Sequence, residues 1–150
     1  NYFDMNPGVK RIKILEGDTV PGTENDEKAM LADTEHLDVA PTVEIYEIDG
    51  PFFFGLASKL DEIDHLRNAD IKVRIIRMRK VPFMDSTGLN NLRSLWKRSS
   101  KEGVQIILSG VNDNVLAYLN KVGFVQELGK EYIFPHIIPA VAKANELSGK

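Results

Sequence analysis

Residues 81–89, VPFMDSTGL, join an apolar run with interleaved bases (71–81) to a segment (89–101) whose apolar residues recur at helical spacing. This order predicts a strand, a tight turn and the start of a helix, and Asp85, Ser86 and Thr87 can each cap that helix. Such a turn exposes hydroxyl and backbone N–H groups at the end of a sheet, where the helix dipole favours negative charge. Ser86 is therefore the first candidate for a functional residue.

Length and composition narrow the class of protein. The chain has 150 residues, of which 43% are hydrophobic, enough for one compact domain with a core. It has no cysteine, which excludes disulfides, a thiolate nucleophile and a cysteine-based zinc site. The net charge of −3 provides no global basic field, so no nucleic-acid partner is expected. No apolar run of about 18 residues predicts a membrane span.

Charge divides the chain into two parts. Between Glu16 and Ala40, eight acidic residues stand against one base, Lys28, which gives this segment a net charge of −7. We interpret residues 1–40 as an acidic linker, in which a short strand at 9–15 is left open, and residues 41–148 as the folded domain. The chain begins with Asn1 rather than Met, which suggests a piece of a longer protein that continues upstream.

The folded part alternates between strand-like and helix-like patterns. This alternation predicts an α/β sandwich with mainly parallel strands. The predicted strands lie at 43–48, 71–81 and 104–108, with short strands at 125–128 and 132–134 on either side of a turn; the predicted helices lie at 56–66, 89–101 and 112–123 and after Pro135.

Catalytic motifs are missing from the sequence. Its histidines, His36, His65 and His136, have no partner at the spacing of a catalytic or metal-binding motif. Ser86 does not lie in a Gly-x-Ser-x-Gly elbow, and no glycine-rich nucleotide-binding loop occurs. We therefore expect no enzymatic activity, no catalytic residue, no metal site and no cofactor.

Two features remain as candidate sites. Asp85, Ser86, Thr87 and Gly88 form a helix cap, and a phosphate on an exposed serine there would add about −2 charge to the surface. The strand at 71–81 carries five bases and no acid, and its last arginines, Arg77 and Arg79, are a candidate anion-attracting rim beside Ser86. An ordinary solvated face is the simpler explanation of these bases.

The 81–89 stretch resembles the hallmark of STAS domains, which occur in anti-sigma-factor antagonists and at the cytoplasmic C-terminus of SulP anion transporters. The turn at 109–111 followed by Asn112 resembles the next loop of that fold, and the resemblance extends over residues 43–147. It implies a STAS sandwich, a mixed, mainly parallel β-sheet of about four or five strands packed with about four helices. The antagonists are phosphorylated on the serine that follows the Asp. By this resemblance Ser86 is a candidate phosphorylation site, and Asp85, Thr87 and Gly88 join it as candidate partner-docking residues.

Two segments favour the transporter branch of the family. Residues 48–55, IDGPFFFG, resemble the corresponding segment of SulP STAS domains, and so do residues 77–83, RMRKVPF. The resemblance implies a non-catalytic cytoplasmic domain that regulates a transporter of sulfate, bicarbonate or a dicarboxylate, located at the cytoplasmic face of the inner membrane. Its expected partners are the transporter's own membrane domain and a cytoplasmic protein; homodimerisation and weak anion or nucleotide binding are left open. The alternative is an anti-sigma-factor antagonist that acts as a phosphoserine switch through Ser86.

Overall fold

The computed structural model of this chain describes residues 12–15, 38–49 and 70–149. The aromatic block at 52–54, the predicted helix at 56–66 and most of the acidic segment lie outside these residues. Among the described residues, the chain forms one four-stranded sheet with helices that follow its strands.

The sheet is parallel throughout its described part. Its strands are β1 (Ile12–Leu15), β2 (Val43–Asp49), β3 (Val73–Lys80) and β4 (Gln105–Ser109), arranged in the order β1-β2-β3-β4. Each neighbouring pair runs parallel. β1 lies within the short strand that the sequence left open at 9–15, so part of the predicted linker belongs to the sheet. The predicted α/β fold with a mainly parallel sheet is confirmed.

Four α-helices and one 3₁₀ turn accompany the described strands. They are α1 (Ser86–Lys101), α2 (Asp113–Lys121), α3 (Phe124–Leu128), the 3₁₀ turn Lys130–Tyr132, and α4 (Ile137–Leu147). Since α1 follows β3 and α2 follows β4, both helices begin at the edge of the sheet where the parallel strands end. We call this edge the carboxyl edge.

The prediction of a short strand at 125–128 is wrong, because these residues belong to helix α3. Phe124 and Leu128 are both buried, and their four-residue spacing places them on one face of a helix. The glycine at 123, with φ 85°, turns the chain into this short helix directly after α2. The predicted edge strand at 132–134 is reduced to a single parallel bridge between Ile133 and Leu108.

The core lies on both faces of the sheet. Because side chains alternate along a strand, Tyr46, Ile76 and Leu108 face one cluster, while Ile45, Ile75 and Ile107 face the other. The first cluster packs beneath α1 and α2, and the second packs beneath α4. We call these two sides the α1 face and the α4 face.

The explanation of the β3 bases as an ordinary solvated face is wrong for two of them. Arg74 is only 2% exposed and Arg77 only 6% exposed. On the α1 face, Arg74 Nε lies 3.4 Å from Glu44 Oε1, and Arg74 Nη1 donates to Ser99 Oγ at 3.1 Å and to Glu102 Oε1 at 3.1 Å. A buried charge needs such partners, so this network fixes the C-terminal end of α1 against the sheet.

Candidate functional site

Asp85 is the residue that caps α1. Its backbone is extended, and its Oδ1 accepts a hydrogen bond from the Gly88 N–H at 3.1 Å. Because Asp85 supplies the cap, the hydroxyl groups of Ser86 and Thr87 are not needed for it, and both residues are exposed at the start of the helix. The predicted capping turn is therefore present, and it leaves Ser86 accessible to a partner or a kinase.

The four candidate docking residues differ in what they present to the surface. Ser86 and Thr87 are exposed, Asp85 is half-buried, and Gly88 is buried on the same side of α1 as Leu89. Gly88 therefore contributes its backbone N–H to the cap, while the surface chemistry comes from the two hydroxyl residues.

An exposed phenylalanine lies directly before the cap. Phe83 is 50% exposed, whereas Val81 and Met84 on either side of the Pro82-Phe83 pair are buried. Burial of Val81 and Met84 fixes the ends of this short loop, so that Pro82 and Phe83 protrude from the carboxyl edge. Aromatic residues are enriched at protein–protein interfaces, so the exposed Phe83 ring is a candidate recognition residue.

Asn112 links the two loops at the carboxyl edge. Its Oδ1 caps α2 by accepting from the Val115 N–H at 2.8 Å. Its Nδ2 donates to the backbone oxygens of Val81, at 3.1 Å, and Pro82, at 3.3 Å. One side chain thus caps a helix and holds the loop that carries Phe83 and Ser86.

Gly110 brings the end of β4 close to β3. Its φ is 69°, and a Cβ at this position would lie 2.9 Å from the backbone nitrogen of Arg79. Both the left-handed conformation and the lack of space require glycine here. The sequence indicated this turn only through the family resemblance. The close approach of the two strands explains why a glycine occupies it.

The structure brings Arg77 and Arg79 together in a pocket of about 340 Å³. Arg79 Nε donates to Glu47 Oε1 at 2.6 Å, and Lys80 Nζ lies 3.6 Å from Glu47 Oε2. The described lining of this pocket includes none of residues 85–88, so the arginine rim and the Ser86 turn are separate features. The pocket is lined by Arg77, Arg79, Gly110, Pro135, His136, Ile137 and Ile138.

A second pocket, of about 290 Å³, lies between α2 and the segment that follows α3. Leu116 on its wall is 39% exposed. The sequence did not indicate this pocket, and Val125, which it assigned to a strand, lines the pocket from helix α3. The lining is mainly apolar and consists of Val111, Asp113, Leu116, Val125, Lys130, Ile133, Phe134 and Pro135.

The described part of the chain presents two separate surface features, the turn at 85–88 and the arginine pocket. No group of three or more potential metal ligands occurs within residues 12–15, 38–49 and 70–149. His136 is the N-cap of α4 and lines the arginine pocket, whereas His36 and His65 fall outside the described ranges. None of the described helices is long and apolar enough to cross a membrane.

This chain is similar to a known domain family and to solved structures. Residues 36–144 match the STAS domain family. The crystal structure of a sulfate transporter family protein from Wolinella succinogenes is 42% identical, with a TM-score of 0.69 over 78% of this chain and 96% of that chain. The SulP transporter STAS domain from Vibrio cholerae is 28% identical, with a TM-score of 0.67 over 79% of this chain and 94% of that chain.

Longer relatives include Sulfate transporter 3.2 of Arabidopsis thaliana. It is 28% identical over 110 residues, which cover 65% of this chain and 17% of the relative. The chain spans only 16–18% of the length of the curated relatives it matches. These relatives therefore contain far more than the domain described above.

Proposed function

The chain belongs to the STAS domain family, and we propose that it is the cytoplasmic regulatory and interaction domain of a SulP-type inorganic-anion transporter. The observation that carries this proposal is the family match over residues 36–144, together with relatives that are named sulfate transporters and are several times longer. In this proposal a membrane domain outside the chain moves sulfate, bicarbonate or a dicarboxylate. The domain works at the cytoplasmic face of the inner membrane and itself performs no reaction.

We propose that the docking surface comprises Phe83, Ser86 and Thr87 at the carboxyl edge. These residues are exposed, while Asp85 and Asn112 hold their loop in place by hydrogen bonds. Exposed recognition residues on a loop fixed by a rigid sheet suit a partner-binding site, because little conformational freedom is lost on binding. The partner in this proposal is the transporter's own membrane domain or a cytoplasmic protein.

Phosphorylation of Ser86 would regulate this docking surface. A phosphate at the first helical residue adds about −1.5 to −2 charge, and the N-terminal end of a helix stabilises an anion. The modified domain would therefore stay folded, while the surface formed by Phe83 and the half-buried Asp85 would become strongly acidic. Such a change alters partner binding without unfolding the domain.

The decisive experiment uses the complete protein that contains this chain, reconstituted in vesicles and assayed for uptake of labelled sulfate, bicarbonate and succinate. We expect Ser86→Glu to change uptake of the transported anion, whereas Ser94→Glu should not. Ser94 is the matched control, because it is an exposed serine two turns further along α1. Deletion of residues 38–149 should change transport as well, while the membrane domain still inserts. Unchanged uptake in both the deletion and the Ser86→Glu protein would contradict the proposal.

The gene provides an independent check. The proposal requires an upstream reading frame with about ten or more apolar spans of about 20 residues each. A gene that encodes only a soluble protein of this length would contradict it and would favour the anti-sigma-factor antagonist.

The exposed Ser86 hydroxyl favours that second candidate in one respect, since it is accessible to a kinase. Stoichiometric phosphate on Ser86 after incubation with an anti-sigma-factor kinase and ATP, lost in Ser86→Ala, would support it.

A further inference from the structure

The pocket lined by Arg77 and Arg79 lies on the α4 face, at the ends of β3 and β4, where α4 begins. Glu47 and Arg77 follow the alternation of Ile45 and Ile75, which places them on this face. The pocket therefore lies at the carboxyl edge, where the loops that follow the parallel strands meet the start of α4. Loops positioned by a rigid scaffold are common places for ligand binding.

Two guanidinium groups give the pocket its chemistry. Arg77 is 6% exposed and belongs to β3, so packing restricts its position. Arg79 is held by its hydrogen bond to Glu47, whose buried carboxylate also has Lys80 at 3.6 Å. A carboxylate this close would repel an anion, but Arg79 and Lys80 both contact it and offset its charge. The planar guanidinium group matches the oxygens of sulfate, phosphate and carboxylate ligands.

The N-terminus of α4 forms part of the pocket wall. Its N-cap residue, His136, is extended and makes no side-chain capping hydrogen bond. The first turn, residues 137–140, contains no acidic residue. The backbone N–H groups of Ile137 and Ile138 and the positive end of this 11-residue helix therefore border the same pocket as the arginines, while Pro139 has no N–H to contribute.

A buried hydroxyl group provides an independent indication. Ser109 is paired with Arg77 in the β3–β4 register and directly precedes Gly110, which lines the pocket. The Ser109 side chain is fully buried, and its Oγ makes no hydrogen bond to any residue in the described part of the chain. Buried hydroxyl groups are normally hydrogen-bonded, so an unpartnered hydroxyl beside this pocket calls for a polar partner.

We propose that this pocket binds a small oxyanion of the sulfate and phosphate class. Arg77 and Arg79 bind its oxygens from the sheet, and the N–H groups of Ile137 and Ile138 bind them from the start of α4. Gly110 leaves the wall between them without a side chain. The site is distinct from the Ser86 docking surface, and the inference does not depend on the proposed transport role, because binding is a property of this chain alone.

Nuclear magnetic resonance titration of the 150-residue chain tests the proposal. Sodium sulfate and inorganic phosphate are compared with sodium chloride at equal ionic strength, and the backbone amides of Gly110, Ile137 and Ile138 are followed. We expect saturable shifts at these amides with at least one oxyanion and none of comparable size with chloride. The absence of saturation below about 10 mM, or an equal response to chloride, would overturn the proposal, since general screening acts at any surface charge.

Variants at Ile138 separate binding from folding. Ile138 is 60% exposed on the pocket wall, so its replacement leaves the core intact. Ile138→Glu should weaken oxyanion binding about tenfold or more, because its carboxylate repels the ligand, whereas the uncharged Ile138→Gln should bind nearly as the wild type does. Leu116→Glu is the matched control, as it places the same acid on an exposed aliphatic residue of α2. Equal binding by the two Ile138 variants, or equal weakening by Leu116→Glu, would overturn the proposal.

Discussion

Replacement of Asn112 should separate two contributions that one side chain makes at the carboxyl edge. Its Oδ1 caps α2 through the Val115 N–H, and its Nδ2 holds the loop through the backbone oxygens of Val81 and Pro82. Serine retains an acceptor for the cap but is too short and too poor in donors to hold the loop. Alanine removes both functions. Asn112→Ser and Asn112→Ala therefore form a series in which first the loop and then the helix cap is lost.

The expected magnitudes follow from the geometry. Loss of the N-cap acceptor costs about 1 kcal/mol, with a range of about 0.5–2 kcal/mol. Loss of the bonds to Val81 and Pro82 costs about 1 kcal/mol for the shorter bond and less for the longer one. We therefore expect Asn112→Ser to lower the free energy of unfolding by about 1 kcal/mol and Asn112→Ala by about 2–3 kcal/mol.

Urea unfolding of the 150-residue chain at 25 °C measures these differences, provided that the dependence of the free energy on urea is the same for all variants. Asn114→Ala is the control, because Asn114 is an exposed residue of the same helix and should change the free energy by less than about 0.5 kcal/mol. Equal stability of Asn112→Ser and Asn112→Ala would refute separate contributions of the cap and the loop. A loss below about 0.5 kcal/mol in Asn112→Ala would refute the capping role itself.

Three other substitutions test the core, the helix start and the close approach of the strands. Leu92→Ala should lower the free energy of unfolding by about 2–5 kcal/mol in the same urea assay, because Leu92 is fully buried on the core-facing side of α1; a loss under about 1 kcal/mol would contradict its place in the core. Ser86→Glu should change stability by no more than about 1 kcal/mol, since an acid near a helix N-terminus is tolerated, and a thermal melt lowered by many degrees would be incompatible with this. Gly110→Ala should cost about 1–3 kcal/mol more than Gly103→Ala, because both positions have positive φ but only Gly110 would bring a Cβ against the Arg79 backbone. Equal losses at the two glycines would contradict the close approach.

The turn at 85–88 could be predicted from sequence because its signals are local. An apolar run, three capping residues and a helical repeat follow one another, and the structure places the helix start at Ser86 with Asp85 as the cap. The sequence could not choose among the three capping residues, since each has an oxygen that reaches the first turn. That choice depends on the backbone conformation at position 85.

The segment at 124–134 was predicted less well because its pattern is ambiguous. Five residues, FVQEL, are too few to distinguish a helical repeat from a strand, and only burial by the core selects the helix. Of the two segments that favoured the transporter branch, 48–55 falls largely outside the described residues and 77–83 lies within them. The comparisons with known proteins support that branch independently.

The side of the sheet on which Arg77 lies could not be derived from sequence spacing alone. Arg77 and Arg79 precede Ser86 by only a few residues, which suggested one continuous rim. In the structure, β3 ends between them and Ser86, so the arginines point toward the α4 face while the chain crosses to begin α1 on the other face. Arg77 and Arg79 therefore belong to the oxyanion pocket, and Ser86 belongs to the docking surface. The backbone that joins Arg79 to Ser86 is common to both sites.

Gly110 and Asn112 determine how closely the two sites are connected. Gly110 packs against the Arg79 backbone and lines the pocket, and Asn112, two residues later, holds the loop that leads to Ser86. A Cβ at position 110 displaces backbone that both sites use, so it should affect oxyanion binding and the Ser86 loop together. Ile138→Glu and Asn112→Ser each act on one side only, on the pocket and on the loop respectively. The carboxyl edge therefore carries two sites, the oxyanion pocket and the Ser86 docking surface, which variants can affect separately. Both sites depend on the same turn between β4 and α2.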